Sequence, residues 1–236
     1  MLPIQPNLTA HSPETVLYGS YRATLRAFNR ALCARDAETS DHSERVAAYA
    51  LKLAQMLGLD DYSLVGLEQG ALLHDIGKLG VPDAILRKPG PLTNAEQLVM
   101  RTHVEHGLAI VREIPFLSEA RHVIAEHHER YDGRGYPRGL VGAEIHIQAR
   151  IFAVADALDA LLSHRPYRAA QSFEFASQEI HRNAGAHFDP QVVEAFSSVP
   201  EADWLTLRSH SEMRQFTSGV TDTLRARTAF LRLASC

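Results

Sequence analysis

The 236 residues are 45% apolar, enough to bury a full core at a length that fits one domain with extensions. A formal charge of −4 provides no basic field to draw the chain to nucleic acid or an anionic membrane, and no run of about 18 apolar residues offers a membrane span. Cys33 and Cys236 lack metal-ligand or redox spacing, and residues 1–10 lack the basic-then-apolar order of a signal peptide, so a reducing, cytoplasmic setting is expected.

After a polar, Pro-containing tail, Val16, Leu17, Tyr21, Leu25, Phe28 and Leu32 recur at helical spacing and predict an amphipathic helix over Pro13–Ala34. Ser40 or Asp41 is placed to cap a second helix, whose face of Val46, Ala50, Leu53, Ala54 and Leu57 stops at Gly58. Glu38 and His42 are four residues apart; in a helical turn they share a face and can reach one metal ion. Tyr62–Ile76 reads as a buried helix ending in His74-Asp75-Ile76-Gly77-Lys78. Neighbouring helical residues diverge by about 100°, so His74 and Asp75 can flank a metal pair with the carboxylate bridging it. Lys78 adds an ammonium that favours negative charge on a substrate.

Beyond the loop marked by Pro82, Pro89, Gly90 and Pro91, Thr93-Asn94-Ala95-Glu96 reads as a capping box opening a helix that carries His103 and His106 on one face. Ser118 is placed to cap the next helix, which runs into Glu126-His127-His128 before a loop with Gly133, Gly135 and Pro137. Ile145–Leu162 is apolar on nearly all sides and predicts a buried helix. Asp156 sits in its middle, where an ionised carboxylate requires a partner, whereas Asp159 is expected nearer the polar edge with a structural role. Arg165-Pro166-Tyr167-Arg168 sets two guanidiniums beside an aromatic ring, a group suited to phosphate or purine recognition. A helix over Phe173–Asn183 follows, then Asp189-Pro190 as the cap and first turn of a helix holding Val192–Phe196. The composition turns polar from Pro200, and Val220–Leu233 predicts a last amphipathic helix.

No run alternates like a strand, so the fold class is all-α. Residues 1–34 read as a tail and helix, 35–200 as a catalytic domain, and 201–236 as a helical C-terminal extension. Singly, each polar residue above has a commoner explanation as a cap or surface group. Together, Glu38, His42, His74, Asp75, His103, His127, His128 and Asp156 supply five imidazoles and three carboxylates from successive helices. That is too many for one metal, and the lack of a thiolate argues against structural zinc. Two or three divalent ions, iron or manganese, suit the set.

At Asp41-His42-Ser43-Glu44-Arg45-Val46, His74-Asp75-Ile76-Gly77-Lys78, His103 with Gly107, His127-His128-Glu129, Asp132-Gly133-Arg134-Gly135-Tyr136-Pro137, Asp156-Ala157 with Arg165-Pro166-Tyr167-Arg168, and His187-Phe188-Asp189-Pro190, the chain resembles the HD-GYP subgroup of the HD-domain metal-dependent phosphohydrolases. The resemblance runs from about Leu32 to Val199. Ala186 departs from it, standing where the family usually has Thr. The resemblance implies an HD-domain helical bundle with a metal centre in its helical core, and hydrolysis of cyclic di-GMP to linear pGpG, in some members on to GMP. Its implied ligands are His42, His74, Asp75, His103, His127, His128 and Asp156, with Glu38 where trinuclear members have an extra one. Lys78 would contact the scissile phosphate; Tyr136, Arg165 and Arg168 would touch the dinucleotide. In the implied reaction a metal-bridging hydroxide attacks phosphorus in line with the leaving 3′-oxygen. The alternatives are another nucleotide phosphohydrolase of the superfamily, or a non-hydrolytic cyclic di-GMP receptor that docks a signalling protein on the Gly-rich loop 132–137. A homodimer is compatible with either.

Overall fold

The computed structural model describes residues 13–36, 40–164 and 168–213. Among them there is no strand; two isolated bridges, Asp132 with Val141 and Ala184 with Phe188, pin the loops. The all-α expectation is borne out. Helices α1 (Pro13–Cys33), α2 (Ser40–Met56) and α3 (Asp61–Leu73) come first. They are followed by α4 (Asp83–Leu86), α5 (Asn94–Arg101), α6 (His103–Val111) and α7 (Ala120–Glu126). Then come α8 (Ile147–Leu162), α9 (Phe173–Arg182), α10 (Pro190–Ser197) and α11 (Glu201–Met213).

Local chemistry explains most of the boundaries. The Asp60 side chain caps α3 by accepting from the Ser63 amide, Ser172 does the same for α9, and Asp189 caps α10 with Pro190 in its first turn. Thr93 and Glu96 form the expected reciprocal capping box at α5. Four boundaries differ from the sequence reading. The helix expected to reach Ile76 ends at Leu73 and tightens into a 3-10 turn, Ile76–Gly80, because Gly77 lies against the backbone of α6. A Cβ on Gly77 would stand 1.7 Å from the His103 carbonyl oxygen, so only glycine allows that approach. The helix expected from Thr93 through His106 is two helices, broken at Thr102, whose amide and hydroxyl both turn back to the Val99 carbonyl. Ser118 does not cap α7; it closes a 3-10 turn over Pro115–Leu117, and Glu119 precedes α7 without a side-chain cap. Helix α11 was not resolved as an element in the sequence, and Val220–Leu233 lies outside the described residues.

Two apolar clusters meet around the end of α3. The larger gathers Tyr49 and Leu53 of α2, Leu67 of α3, Ile151, Phe152 and Leu158 of α8, Phe196 of α10 and Trp204 of α11. Trp204 is fully buried with its ring 5.8 Å from Tyr49 and 5.2 Å from Phe196, which docks α11 on the core. The smaller packs Leu25 of α1 with Leu72 and Leu73 of α3, Val111 of α6 and Ile124 of α7. His74 follows directly on the buried end of α3, where both clusters converge. At about 1.5–3 kcal/mol per buried large side chain, these clusters hold the ends of α3, α6 and α7 against one another.

Candidate metal centre

His74, His103 and His127, at the ends of α3, α6 and α7, are each oriented by nearby backbone. The Nδ1–H of His74 donates to the Ala71 carbonyl (2.9 Å), that of His103 to Met100 (2.8 Å) and that of His127 to Ile124 (3.0 Å). A carbonyl only accepts, so the proton sits on Nδ1 and each Nε2 turns a lone pair inward. Such anchoring of the distal nitrogen is the usual support of a metal-ligating imidazole. His103 Nε2 and His127 Nε2 face each other at 3.2 Å, two lone pairs with no proton between them in these tautomers. Burial, followed by repulsion from His74, pushes the His127 pKa down to about 3, and burial lowers those of His103 and His128 too. A proton is therefore poorly held there, and a divalent cation fits the donor set. Asp75, His103, His127 and His128 offer ligand atoms all within 4.8 Å of one another.

Asp75 joins this pocket to a second group. Its Oδ1 lies 3.5 Å from His103 Nε2 and 3.9 Å from His127 Nε2, while Oδ2 lies 3.1 Å from His74 Nε2 and 2.8 Å from Lys78 Nζ. Burial would raise the pKa of Asp75, but His74 and Lys78 outweigh it and hold the carboxyl well below its ordinary range. For His74, burial is likewise overcome, by Asp75 and Asp156, and its pKa is raised. Next to His74, with ring centroids 5.9 Å apart, His42 sets Nε2 3.3 Å from Asp156 Oδ1. One cavity of about 350 Å³ is lined by all these groups together with Asp36, Lys78 and Tyr136.

The two carboxylates of α8 exchange the burial expected of them. Asp156 opens onto the cavity with its side chain 40% exposed, whereas Asp159 is completely buried. One turn on, the helix points Asp159 at α2 and α11. There Arg45 binds it through Nε (2.6 Å) and Nη2 (2.9 Å), and Arg208 through Nη1 (3.1 Å). The His42 Nδ1 is 2.7 Å from Asp159 Oδ2. Burial pushes the Asp159 carboxyl up, but His42 and Arg45 bring it down to about 2. Asp159 is structural, as expected, and it also orients His42 as the carbonyls orient the other histidines.

Asp36 is a participant the sequence reading missed: Lys78 Nζ sits 2.8 Å from Asp36 Oδ2 as well as 2.8 Å from Asp75. Nothing in the residues around Asp36 signals a partner 42 positions away. Tyr136 stacks on the His128 ring at 4.5 Å and 22°, and burial pushes its hydroxyl up to about 12. Its loop is held by buried Glu129, which accepts from the Arg138 and Leu140 amides at 2.7 and 3.0 Å. His106 is exposed and packs on Gly80, away from the cavity. Arg168 is exposed, donates to the Ala160 carbonyl and does not line the cavity. Glu38 and Arg165 lie outside the described residues.

An all-helical bundle that converges imidazoles and carboxylates from successive helix ends on one cavity defines a protein built around a metal-binding core. The HD domain family model matches residues 26–192, and the chain belongs to that family, in the HD-GYP branch to which its motifs point. It is 43% identical over 176 residues to the cyclic di-GMP phosphodiesterase response regulator RpfG of Xanthomonas campestris, covering 74% of this chain and 47% of that protein. A cyclic di-GMP phosphodiesterase of Thermotoga maritima is 43% identical over 164 residues, 69% of this chain and 45% of its own. A 3′3′-cGAMP-specific phosphodiesterase of Vibrio cholerae is 40% identical over 198 residues, 84% of this chain and 42% of its own. The chain thus spans under half the length of these curated relatives. Among solved structures, Bd1817, an HDG"Y"P protein of Bdellovibrio bacteriovorus, shares the fold with a TM-score of 0.53 at 23% identity, over 66% of this chain and 51% of that one. Among the described residues no helix is long and apolar enough to cross a membrane.

Proposed function

We propose that this chain is a metal-dependent phosphodiesterase that opens cyclic di-GMP to linear pGpG, with GMP as the product of any further cut. The Asp75 carboxylate carries the reading: one oxygen faces the imidazoles of His103 and His127, the other His74 and Lys78. A carboxylate so shared suits two cations held side by side, with His103, His127 and His128 on one flank and His42, His74 and Asp156 on the other. The absence of thiolate favours iron or manganese. Glu38 is the proposed extra ligand of a third ion. When bound, such ions lower the pKa of water and polarise a phosphoryl oxygen.

The protein's own groups do the rest. The Lys78 ammonium, braced between Asp75 and Asp36, donates to a non-bridging phosphoryl oxygen and offsets the charge that grows there as the diester opens. The carbonyl-anchored rings keep every Nε2 aimed inward, so little reorganisation is needed at the moment of reaction. The substrate class follows from the relatives, whose names divide between cyclic di-GMP and 3′3′-cGAMP; the two Gua-containing rings differ at one base. Arg165, Arg168 and the Gly-rich loop are the proposed base-side contacts, and the loop is also the surface offered to a signalling partner in the cytoplasm.

The test is anaerobic turnover of cyclic di-GMP and 3′3′-cGAMP, side by side, by protein of known metal content. Chromatography should show pGpG first, with Glu38→Ala losing about one ion per chain and roughly 10- to 100-fold in rate, the range of a lost orienting contact. Binding without any linear product would replace the enzyme by a receptor.

A further inference from the structure

The Tyr136 ring carries two neighbours. It stacks on the His128 ring, with centroids 4.5 Å apart and planes 22° from parallel, and the Arg101 guanidinium lies over it, 4.5 Å from the ring centroid. A molecule that reaches Tyr136 therefore meets the cation the ring carries. Arg101 closes α5, is exposed, and has no ion-pair partner among the described residues. Of the loop's arginines, Arg130 and Arg138 are held by Asp132 and Glu126.

The cavity that Tyr136 lines has the opposite balance. Asp36, Asp75 and Asp156 line it, and Lys78, the lysine in that lining, is shared by the first two. Cations bound to the imidazoles and carboxylates would serve the phosphate being cut. A substrate with two phosphates then brings a second negative charge to a lining in which, among the described residues, Lys78 is the one lysine or arginine. Arg101 rests on Tyr136 and directly follows Met100, and both of those residues line the cavity, so its guanidinium stands at the cavity's border and outside the clustered imidazoles.

Resting on the phosphodiesterase reading, we propose that Arg101 is the binding site for the second, uncleaved phosphate of a cyclic dinucleotide. A guanidinium can keep its flat face on an aromatic ring while its edge forms paired hydrogen bonds to a phosphate, which an ammonium cannot do. The stack on Tyr136 therefore presents the fork in a fixed orientation, and the His128 ring braces Tyr136.

Wild type, Arg101→Ala and Arg101→Lys are compared on cyclic di-GMP and on bis(p-nitrophenyl) phosphate, a diester with a single phosphate, with cyclic di-GMP affinity measured by calorimetry on the same metal-assayed preparations. Arg101→Ala should raise KM and Kd for cyclic di-GMP about 10-fold, the scale of one hydrogen bond to a charged group, and lower the preference for cyclic di-GMP over the simple diester by the same factor. Metal content should stay at the wild-type value, and Arg101→Lys should recover only part of the affinity. An equal loss on both substrates, or loss of metal, would mean that Arg101 acts only by propping Tyr136 and His128; an unchanged KM and Kd would make it a solvent arginine. Either result overturns the assignment. Failure of the phosphodiesterase reading looks different: wild type itself would then form no linear product from cyclic di-GMP, whether or not calorimetry shows that it binds it.

Discussion

The cavity is bounded by two regions built in opposite ways. On one side α2, α3 and α8 are buried almost continuously, and they bring His42, His74 and Asp156 to it. On the other side, not one residue from Pro82 to Thr102 is buried, yet Leu86 and Met100 of this stretch line the same cavity and Arg101 ends it. The floor has its ring nitrogens fixed by carbonyls and by Asp159; the wall is held by a capping box and by polar bonds such as Arg35 to Asp83 and Arg87 to the Arg35 carbonyl, with no buried side chain among them. Ligands must keep their geometry to a fraction of an ångström, so they sit on the packed elements. A wall with few buried apolar contacts opens at low cost, which suits a surface that must admit and release a charged substrate.

The largest effect should come from the floor. His74→Ala combined with Asp75→Ala removes the shared carboxylate and an inward Nε2, and should empty the site and reduce diester hydrolysis to background while the helical circular dichroism remains. Elemental analysis giving the wild-type metal content would break the comparison at its root. Asp159→Asn comes next. It leaves Arg45 and Arg208 in place but weakens the acceptor at His42 Nδ1, and metal affinity should fall by about 10- to 100-fold, the usual cost of losing such a support. Calorimetric metal titration of the folded variant checks this; unchanged affinity would confine Asp159 to holding helices together.

The smallest effect belongs to the wall and is read by pH. The side-chain bond from Lys88, then the Thr93 amide and hydroxyl, hold Glu96 at a pKa of about 2. Because the folded value is depressed, this cap contributes fully above the unfolded value of about 4.3 and is lost as pH falls through about 2. Amide protection at the start of α5, taken relative to the intrinsic exchange rate at each pH, should therefore fall between about pH 4 and 2, and Glu96→Ala should show the lower protection at every pH. If the amides of α2 and α8 responded over the same window in step with those of α5, floor and wall would form one cooperative unit.

Helix periods and caps made most of the fold legible, because they are local: the Thr93 and Glu96 box, the Asp189-Pro190 start and the stop after α2 all stand in the structure. Two features the local pattern left open depend on distant contacts. Gly77 breaks α3 early because of the His103 carbonyl, and Trp204 hides in a pocket made by Tyr49 and Phe196, so a stretch of polar composition becomes a docked helix.

By itself the sequence determined which donors exist: five imidazoles and the carboxylates, in an order and chemistry without thiolate that suit the proposed metal centre in a helical family. Only the tertiary structure decided how they divide. It turned Asp156 to the cavity and Asp159 to Arg45 and Arg208, set Asp36 against Lys78, and laid Arg101 over Tyr136. Spacing along a helix tells which residues share a face, but whether that face meets a cavity or a buried guanidinium depends on how the helix is rotated against neighbours far away in the chain, and that rotation is set by the packing of the whole core.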